Sequence, residues 1–509
     1  MSSSSSSIAA PSSSHSSARR WLDCAPLRVV ALAATLTFAA AYESVHLLVF
    51  SDNDIWWRLR TGLWILQNHA LPRTGLFSQA ASRAWVDASW AFDLLVGVAY
   101  RLFGLAGLPV FLMLLQVAVA VSLFLLAREA AKRFWPAVLL AAVAQFSLWP
   151  LQPRPALCSV VFLAIEWAVL LHARRAGDER ALYWLPFLFV LWTNLDRQFL
   201  YGLLSLGIFC GAVCIEQLCA RSGLAGFEAS NHLRLGRVGA VGAASLLASL
   251  VSPYGWRLPS LMWQTTGNSP ADRFFRELHS MRFRQPQDYV LMLLVMMAFF
   301  ALGRRRSRDL FLILMLAVSA VISFRFMRDN WLVVVVAVAI VGSAVHVGGE
   351  SEQVSDSRLE NISTAALVLI VLLTVVLRLP GKNNVHGGEE LLSKIEASFP
   401  LRAADHIREN HLPQPLFNSY AWGGFLTFAL AEYPVSIDGR VDLYGDDLYT
   451  TYFKLTQAEV PLDSDARFAR AQTILLEANS PMAQALSTLP GFKVAYRDDQ
   501  AVVLVRTTP

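Results

Sequence analysis

Residues 106–127 read AGLPVFLMLLQVAVAVSLFLLA, a run of 22 residues that contains no charged side chain. About 20 consecutive apolar residues in a helix are long enough to cross the hydrocarbon core of a bilayer. The stretch therefore predicts a membrane-spanning helix. Arg128, Lys132 and Arg133 follow it directly, and a basic loop of this kind is typical of the cytoplasmic end of a span.

The composition of the whole chain agrees with a membrane protein. Of its 509 residues, 55% are hydrophobic and only 16% are charged, whereas soluble domains have about 45–50% apolar and about 25% charged residues. These values exclude an ordinary cytosolic globular protein, a disordered chain and a small secreted scaffold. The five cysteines have neither the number nor the spacing of a disulfide framework or a zinc site.

Further apolar runs recur along the chain and predict a multi-pass helical bundle. These runs are 27–50, 88–104, 134–151, 156–172, 181–195, 198–220, 238–252, 288–303, 309–325, 330–348 and 363–379. Basic loops are expected on the cytoplasmic side, and every basic loop falls there only if 88–104 does not span the membrane. We therefore expect about eleven spans, with 88–104 as a re-entrant or surface helix.

Composition also predicts three regions. Residues 1–26 are rich in serine and are predicted to be a disordered cytoplasmic tail. Residues 27–380 form the transmembrane domain, which includes a first outer loop at 51–87. Residues 381–509 carry 11 basic and 16 acidic side chains, and helical segments alternate there with β-like runs, which predicts a small periplasmic α/β domain. The β-like runs are Pro415–Asn418, Pro434–Asp438, Thr473–Leu476, Lys493–Tyr496 and Ala501–Val505.

The first outer loop begins with Ser-Asp-Asn-Asp-Ile-Trp-Trp at residues 51–57. Asp52 and Asp54 lie just beyond a membrane helix, where carboxylates are costly without a partner. They are candidates for holding a divalent metal ion against a phosphate group, or for taking a proton from an acceptor hydroxyl. The alternative is that one of them only caps the helix predicted to follow.

More charged residues are predicted on the same outer side, in loops between the spans. They are Asp87, Arg154, Asp196, Arg197, Glu277 and Arg325. Arginine suits phosphate because its guanidinium is always charged and can donate two parallel hydrogen bonds, whereas carboxylates suit a metal ion or a proton. Together these residues predict a site for a lipid-phosphate substrate. Each one alone is also explained as a cap, a turn or an anchor at the membrane interface.

In the C-terminal region, Asp438-Gly439-Arg440 follows a predicted strand, a position where α/β proteins bind ligands. The alternative is a tight turn with an ion pair between Asp438 and Arg440. The sequence contains no glycine-rich loop of the GxxxxGK[ST] or GxGxxG type, which argues against an ATP-driven transporter. No module of interleaved basic and aromatic residues predicts nucleic-acid binding, so nucleic acid is not expected as a partner.

The sequence resembles the GT-C superfamily of membrane glycosyltransferases, which includes protein O-mannosyltransferases and the lipid A aminoarabinose transferase. The resemblance includes the first helix, the aspartate-bearing outer loop, the segment Trp90–Gly104 and the outer α/β domain. It is closer still to a widespread group of bacterial multi-pass membrane proteins. The shared motifs are Asp54-Ile55-Trp56-Trp57, Thr61-Gly62, Trp85-Val86-Asp87, Arg154-Pro155, Trp192-Thr193-Asn194-Leu195, Pro253-Tyr254-Gly255, Tyr420-Ala421-Trp422-Gly423-Gly424 and Asp438-Gly439-Arg440. The chain departs from that group at Thr74, where aspartate is frequent, and at Asp196-Arg197, where His-Gly is frequent.

The resemblance implies a bacterial inner-membrane enzyme that transfers a sugar from a polyprenyl-phosphate donor to an envelope acceptor on the periplasmic face. Its partners would be that donor and membrane lipids. Asp54, with Asp52, would be the catalytic base or the ligands of a divalent metal ion. The substrate-binding candidates are Asp87, Arg154, Asp196, Arg197, Glu277, Arg325, Asp438 and Arg440. Two other classes stay open, namely a transporter or flippase of a lipid-linked or anionic substrate and an envelope scaffold without catalysis.

Overall fold

The structure is a computed structural model that describes residues 24–223, 233–258, 274–305, 308–347, 358–378 and 385–507. Most of the described residues up to Arg378 are helical. The helices are α1 (Ala25–His46), α2 (Asp54–Asn68), α3 (Trp90–Phe103), α4 (Gly107–Ala131), α5 (Phe134–Ser147), α6 (Ala156–Ala176), α7 (Leu185–Leu195), α8 (Phe199–Arg221), α9 (Leu235–Ala248), α10 (Pro286–Gly303), α11 (Leu310–Arg325), α12 (Asn330–Val347) and α13 (Arg358–Arg378). The serine-rich tail falls almost entirely outside the described residues.

The bundle is built around α12, a valine-rich helix. Its residues from Leu332 to Ile340 are completely buried and are surrounded by α4, α5, α6, α10 and α11. Helices at the periphery leave large apolar side chains exposed, among them Phe38, Leu139 and Phe300. Such side chains are in a suitable environment when they face lipid rather than water.

Seven helical stretches in the described part of the chain are long and apolar enough to cross a membrane. They are Ala25–His46, Trp90–Ala131, Ala156–Ala176, Phe199–Arg221, Pro286–Gly303, Met327–His346 and Leu359–Leu377. Three shorter apolar helices, α5, α9 and α11, accompany them. The multi-pass helical bundle predicted from the sequence is confirmed, and the number of about eleven spans stays a prediction.

The segment predicted not to span forms α3, which packs along α2. With 14 residues, α3 is about 21 Å long at 1.5 Å per residue, shorter than the roughly 30 Å of a hydrocarbon core. The two helices approach closely because they meet at glycines. A Cβ on Gly62 would lie 1.9 Å from the backbone oxygen of Asp93, and one on Gly97 would lie 2.7 Å from the backbone of Gly62.

The C-terminal part is a small α/β unit, as the sequence predicts. Its helices are α14 (Val385–Ser398), α15 (Leu401–Glu409), α16 (Gly423–Ala429), α17 (Val441–Thr456), α18 (Ala466–Arg470) and α19 (Pro481–Thr488), and its strands are β1 (Leu416–Asn418), β2 (Thr473–Glu477), β3 (Phe492–Arg497) and β4 (Ala501–Arg506). The strand order is β1-β2-β4-β3, with β1 and β2 parallel and the other pairs antiparallel. Strands β2 and β4 are rich in buried aliphatic residues, which suits a central position in a sheet.

The β-like run Pro434–Asp438 is not a strand of this sheet, contrary to the prediction. The backbone of Val435 instead pairs with the first outer loop, accepting from the N–H of Gln79 (2.9 Å) and donating to the carbonyl of Phe77 (3.1 Å). On its other side, the side chain of Asn418 in β1 bonds to the backbone of the run. The backbone of the run is therefore hydrogen-bonded to the outer loop on one side and to the C-terminal part on the other.

Candidate active site

Asp52 forms the turn that starts α2. Its Oδ1 atom accepts hydrogen bonds from the backbone N–H groups of Asp54 at 2.8 Å and Ile55 at 3.3 Å. The helix-cap alternative is therefore confirmed at this oxygen. The other oxygen, Oδ2, lies 3.7 Å from Nε of Arg154, so the same carboxylate also forms an ion pair with this arginine.

Asp52, Asp54 and Arg154 line a single cavity of about 450 Å³. Three parts of the chain meet there, namely the start of α2, the loop between α5 and α6, and the segment that precedes α16. The other lining residues are Leu48, Ser51, Asn53, Pro150, Leu151, Gln152, Tyr420 and Ala421. The volume is within the range of small-ligand sites, and the lining combines carboxylates, one guanidinium and apolar surface.

Arg154 places a permanent positive charge at this cavity. Its Nη1 donates a hydrogen bond to Glu277. Burial raises the pKa of Glu277, but the charges of Arg154, Arg328 and Arg197 and the hydrogen bond from Arg154 together outweigh burial and hold this pKa below its usual value. Burial likewise lowers the pKa of Arg154, and the charges of Glu277, Asp52 and Asp54 more than reverse that effect. Both groups of the pair are therefore charged at neutral pH.

Asp54 is harder to ionise than an ordinary aspartate. Burial raises the pKa of its carboxyl to about 6, the charge of Asp52 adds to the increase, and Arg154 and Arg58 oppose it. The indole Nε1 of Trp57 donates a hydrogen bond to its Oδ1 at 3.1 Å, which orients the carboxylate. A carboxyl group that titrates near pH 6 is well matched to accepting a proton near neutral pH.

A second group of charges lies next to Asp54. Arg58 donates a hydrogen bond from Nη1 to Asp93 at 2.8 Å, and its guanidinium lies 4.3 Å from the ring centroid of Trp57. Asp87 accepts a hydrogen bond from the backbone N–H of Ser89, in the turn just before α3. Burial raises the pKa of Asp87 to about 6, with Arg58 opposing. Asp87 therefore belongs to the charge network around Asp54 and is not among the residues that line the cavity.

The Asp438-Gly439-Arg440 motif contacts Asp54 from the C-terminal part. A Cβ on Gly439 would lie 2.0 Å from Oδ1 of Asp54. Asp438 and Arg440 are buried and pair with each other, with 2.6 Å between Nη2 and Oδ2, and Arg440 also donates to the carbonyl of Leu76 at 2.7 Å. The ion pair of the tight-turn alternative is present, and neither charged side chain lines the cavity.

Three other candidates lie outside the cavity lining. Asp196 is buried and accepts a hydrogen bond from a serine hydroxyl at 2.5 Å. Arg197 forms an ion pair of 3.0 Å with Asp442 of α17, which links the bundle to the C-terminal part. Arg325 is exposed, with its guanidinium 4.8 Å from the ring centroid of Phe326. Of the predicted site residues, the structure thus brings Asp52, Asp54, Arg154 and Glu277 together.

Sequence analysis assigned no role to Arg58, Asn53 or Tyr420. Arg58 follows Asp54 by four residues, and residues at this spacing share a helix face, so the spacing could have revealed it. Asn53 and Tyr420 meet only through the tertiary structure. The Nδ2 of Asn53 donates to the carbonyl of Tyr420 at 3.4 Å, and its Oδ1 accepts from the N–H of Phe425 at 3.2 Å. No local pattern indicates that contact.

Asp52 and Asp54 are the carboxylates that would hold a divalent metal ion. Within the described ranges, no three His, Cys, Asp or Glu side chains are grouped to hold one. One oxygen of Asp52 already accepts two backbone hydrogen bonds. Two carboxylates suit an ion such as Mg²⁺, which commonly takes its remaining ligands from substrate phosphate and water. The pair therefore fits a metal that arrives with a phosphate substrate.

No family model matches the sequence, and the comparison with curated proteins finds no match. Among solved structures, the chain is similar to ArnT from Cupriavidus metallidurans bound to undecaprenyl phosphate, with a TM-score of 0.50 and 15% identity over 96% of this chain and 98% of that chain. The chain therefore shares the fold of this ArnT structure. ArnT from the same organism in the apo state has a TM-score of 0.47, 16% identity and the same coverage.

The GT-C resemblance predicted from the sequence is therefore confirmed for the fold. Because the similarity to the undecaprenyl-phosphate-bound ArnT extends over nearly all of both chains, the shared fold includes the helical bundle and the C-terminal part alike. The protein is a multi-pass membrane protein by this fold and by its apolar helices. The cavity with Asp54 and Arg154 lies where the helical bundle and the C-terminal part meet.

Proposed function

We propose that this protein is a glycosyltransferase that moves a sugar from a polyprenyl-phosphate-linked donor to an envelope acceptor at the outer face of the bacterial inner membrane. The observation that carries the proposal is the cavity that Asp54, with its raised pKa, shares with the charged guanidinium of Arg154. The undecaprenyl phosphate bound to the structurally similar ArnT supports a carrier lipid of this type.

Arg154 would bind the phosphate of the donor. Transfer breaks the bond between the anomeric carbon of the sugar and a phosphate oxygen, and the bonding electrons stay on that oxygen. The leaving polyprenyl phosphate therefore gains one negative charge, and a guanidinium beside it stabilises that charge as it develops. Arg197 and Arg325 stay candidates for further phosphate contacts, although neither lines the cavity.

Asp54 would act as the base. The acceptor hydroxyl attacks the anomeric carbon and loses its proton, and the ionised Asp54 carboxylate takes that proton up. Trp57 holds the carboxylate in one orientation. In the alternative role, Asp52 and Asp54 would hold a divalent metal ion, which would supply positive charge to the phosphate. The remaining candidates would support the site by holding its charged side chains and backbone in place. They are Asp87, Asp196, Glu277, Asp438 and Arg440.

The orientation in the membrane is part of the proposal. Basic loops and the basic N-terminal region would lie in the cytoplasm, with residues 1–26 as a tail and 27–380 as the membrane domain. Residues 381–509, which have a net charge of −5, would form the periplasmic domain. Since the cavity is lined by both Arg154 and Tyr420, it would open at the periplasmic end of the bundle.

The test measures donor binding and sugar transfer separately, with the full chain in nanodiscs. We expect Arg154→Ala to bind a polyprenyl-phosphate sugar about tenfold more weakly, as expected when a charged hydrogen bond is lost. We expect Asp54→Asn to bind the donor as the wild type does, but to release polyprenyl phosphate at least about 100-fold more slowly in the presence of envelope extract. Exposed Arg180 provides the control, since Arg180→Ala should change neither measurement.

Full transfer by Asp54→Asn would contradict the role of Asp54 as base. Donor binding that Arg154→Ala leaves unchanged would contradict the phosphate assignment. If the folded wild-type protein bound no polyprenyl-phosphate sugar, the glycosyltransferase proposal would be wrong, and the transporter and scaffold classes would take its place.

A further inference from the structure

A second cavity, of about 1090 Å³, lies between the C-terminal ends of α2 and α3. Its wall is about half apolar and comes from these two helices, the turn before α4 and α14. The apolar residues include Leu63, Leu66, Leu102, Phe103, Leu105 and Leu391. It has no lining residue in common with the cavity that contains Asp54, so the two are separate sites.

The basic side chains that line this second cavity are Arg60, Arg101 and His69, and none of the described residues that line it is a carboxylate. Neither arginine has a carboxylate or carbonyl acceptor in the part of the chain that the structure describes, and the buried Nε of Arg60 has no hydrogen-bond partner there. The guanidinium of Arg60 lies 5.0 Å from the ring centroid of Phe77. Arg58, two residues away, is paired with a carboxylate.

The buried Nε of Arg58 also has no hydrogen-bond partner, but the Nη1 of Arg58 bonds to Asp93. No described residue accepts a hydrogen bond from the guanidinium of Arg60, and this difference indicates a ligand. Buried hydrogen-bond donors in proteins nearly always have an acceptor, because leaving one unpaired is costly. When no part of the protein supplies the acceptor, a bound anion is the natural source. Two guanidiniums with no competing carboxylate favour a phosphate, whose oxygens accept paired hydrogen bonds from arginine.

The turn Gly104–Ala106 joins α3 to α4 within the candidate span Trp90–Ala131. Because α3 is predicted not to cross the membrane, the start of α4 is predicted to be the outer end of this span, and the cavity lies there. Just before the turn, Leu102 and Phe103 are 68% and 55% exposed. Phosphate groups of lipids are concentrated at this depth, with the acyl chains directly beside them.

We propose that this cavity binds an anionic, phosphate-bearing membrane lipid. The headgroup phosphate accepts hydrogen bonds from Arg60 and Arg101, and the first carbons of the acyl chains pack against the leucine wall. A free phosphate ion would leave that wall without a contact. The inference does not depend on sugar transfer, because the site lies outside the cavity to which the transfer is assigned.

The test counts lipids bound to the purified full chain by native mass spectrometry, with phosphatidylglycerol as the probe and phosphatidylcholine as the zwitterionic comparison. We expect the wild type to prefer phosphatidylglycerol and the double variant R60A/R101A to bind it about 30-fold more weakly, given the usual contribution of a basic residue near anionic lipid. The matched control is R180A/R304A, because both residues are exposed and Arg304 also lies over a phenylalanine ring. It should bind as the wild type does.

Further measurements keep the outcome decisive. Asp54→Asn and Arg154→Ala should keep phosphatidylglycerol binding, and if either variant loses it the lipid occupies the other cavity and the proposal is wrong. If inorganic phosphate alone competed with equal affinity, the site would be a small-anion site and the lipid assignment would be overturned.

If R60A/R101A does not fold, the single variant Arg101→Gln, at an exposed position, should still weaken phosphatidylglycerol binding about fivefold. Unchanged binding in that variant would overturn the proposal.

Discussion

At the scale of single residues, Asp54 is the group whose titration should govern the rate. Its pKa is raised to about 6 by burial and by the charge of Asp52, so below that pH it is protonated and cannot accept a proton. We predict that kcat/KM for sugar transfer rises with pH through about 6 and is level above it. Initial rates from about pH 5 to about pH 8 would measure the profile, and a rate that falls over this range would contradict the prediction.

The same raised pKa predicts that Asp54 lowers the stability of the fold. The carboxyl of an unfolded chain titrates near 3.8, and the folded one near 6, so the folded state loses stability as pH rises through this interval and stays less stable above it. Asp54→Asn removes the charge but also weakens the hydrogen bond from Trp57. We expect a net gain of about 1–2 kcal/mol at neutral pH, measured as a higher Tm. A gain that persists unchanged at about pH 4, where the group is neutral in the folded wild type, would mean that the charge is not its cause.

Gly439 is the residue that lets the C-terminal part approach Asp54. A methyl group there would lie 2.0 Å from Oδ1 of Asp54, so Gly439→Ala must displace the carboxylate. We predict a fall in kcat of about 100-fold, the usual effect of moving a catalytic group by about 1 Å, with donor binding changed much less. The control is Gly239→Ala, because a Cβ at Gly239 meets no atom within 4 Å. Equal kcat values for the two variants would show that the contact with Gly439 does not position Asp54.

The sequence predicts this site only in part, for a reason visible at Asp54 and Gly439. The sequence does predict Asp52, Asp54 and Arg154, because a charged residue at the end of an apolar run is costly in free energy unless a partner or a ligand compensates its charge. The contact between Gly439 and Asp54 joins residues nearly 400 positions apart, and no periodicity encodes it. A glycine in Asp-Gly-Arg is explained by turn chemistry alone, so its second role is visible only when the two segments are together.

At the scale of elements, the pair of α2 and α3 decides where the charged residues of the outer loop point. Gly62 lets the helices touch, since a Cβ there would lie 1.9 Å from the carbonyl oxygen of Asp93. We predict that Gly62→Ala separates the helices, weakens the bond between Arg58 and Asp93, and costs about 1–3 kcal/mol, as overpacking does. Thermal unfolding would measure it against Gly236→Ala, where a Cβ meets nothing within 4 Å. Equal Tm values for the two variants would contradict the packing argument.

The helices and strands of the structure agree closely with those predicted from the sequence where the apolar run is long. Apolar runs of about 20 residues become helices, and the strands near 473 and 501 appear as predicted because their buried aliphatic residues form a central pair. The run Pro434–Asp438 has similar local properties, yet Val435 pairs with the first outer loop. Short runs are ambiguous in this way because their pairing partner, and not their own composition, decides which structure they join.

At the scale of the whole molecule, the C-terminal part holds the first outer loop from several directions. Arg440 bonds to the carbonyl of Leu76, and Arg83 pairs with Asp447 at 2.7 Å. Gly424 lies so close to the loop that a Cβ would be 2.1 Å from the carbonyl oxygen of Asn53. The bundle and the C-terminal part therefore build the site jointly, and changes in the buried C-terminal pair should reach the cavity.

Arg440 offers the sharpest test of this coupling. It is almost fully buried and paired with Asp438, so Arg440→Met leaves a buried carboxylate without its cation and frees the carbonyl of Leu76. We predict a loss of about 3–5 kcal/mol of stability, and a lower kcat because the loop that carries Asp54 is no longer held. The double variant D438N/R440M removes both charges and should recover much of the lost stability, since replacing both members of a buried pair is far less costly than breaking it. The test measures thermal unfolding and the rate of sugar transfer for both variants. If the double variant were as unstable as Arg440→Met, the cost would come from the lost bond to the outer loop rather than from the unpaired charge, and kcat would then remain low in both.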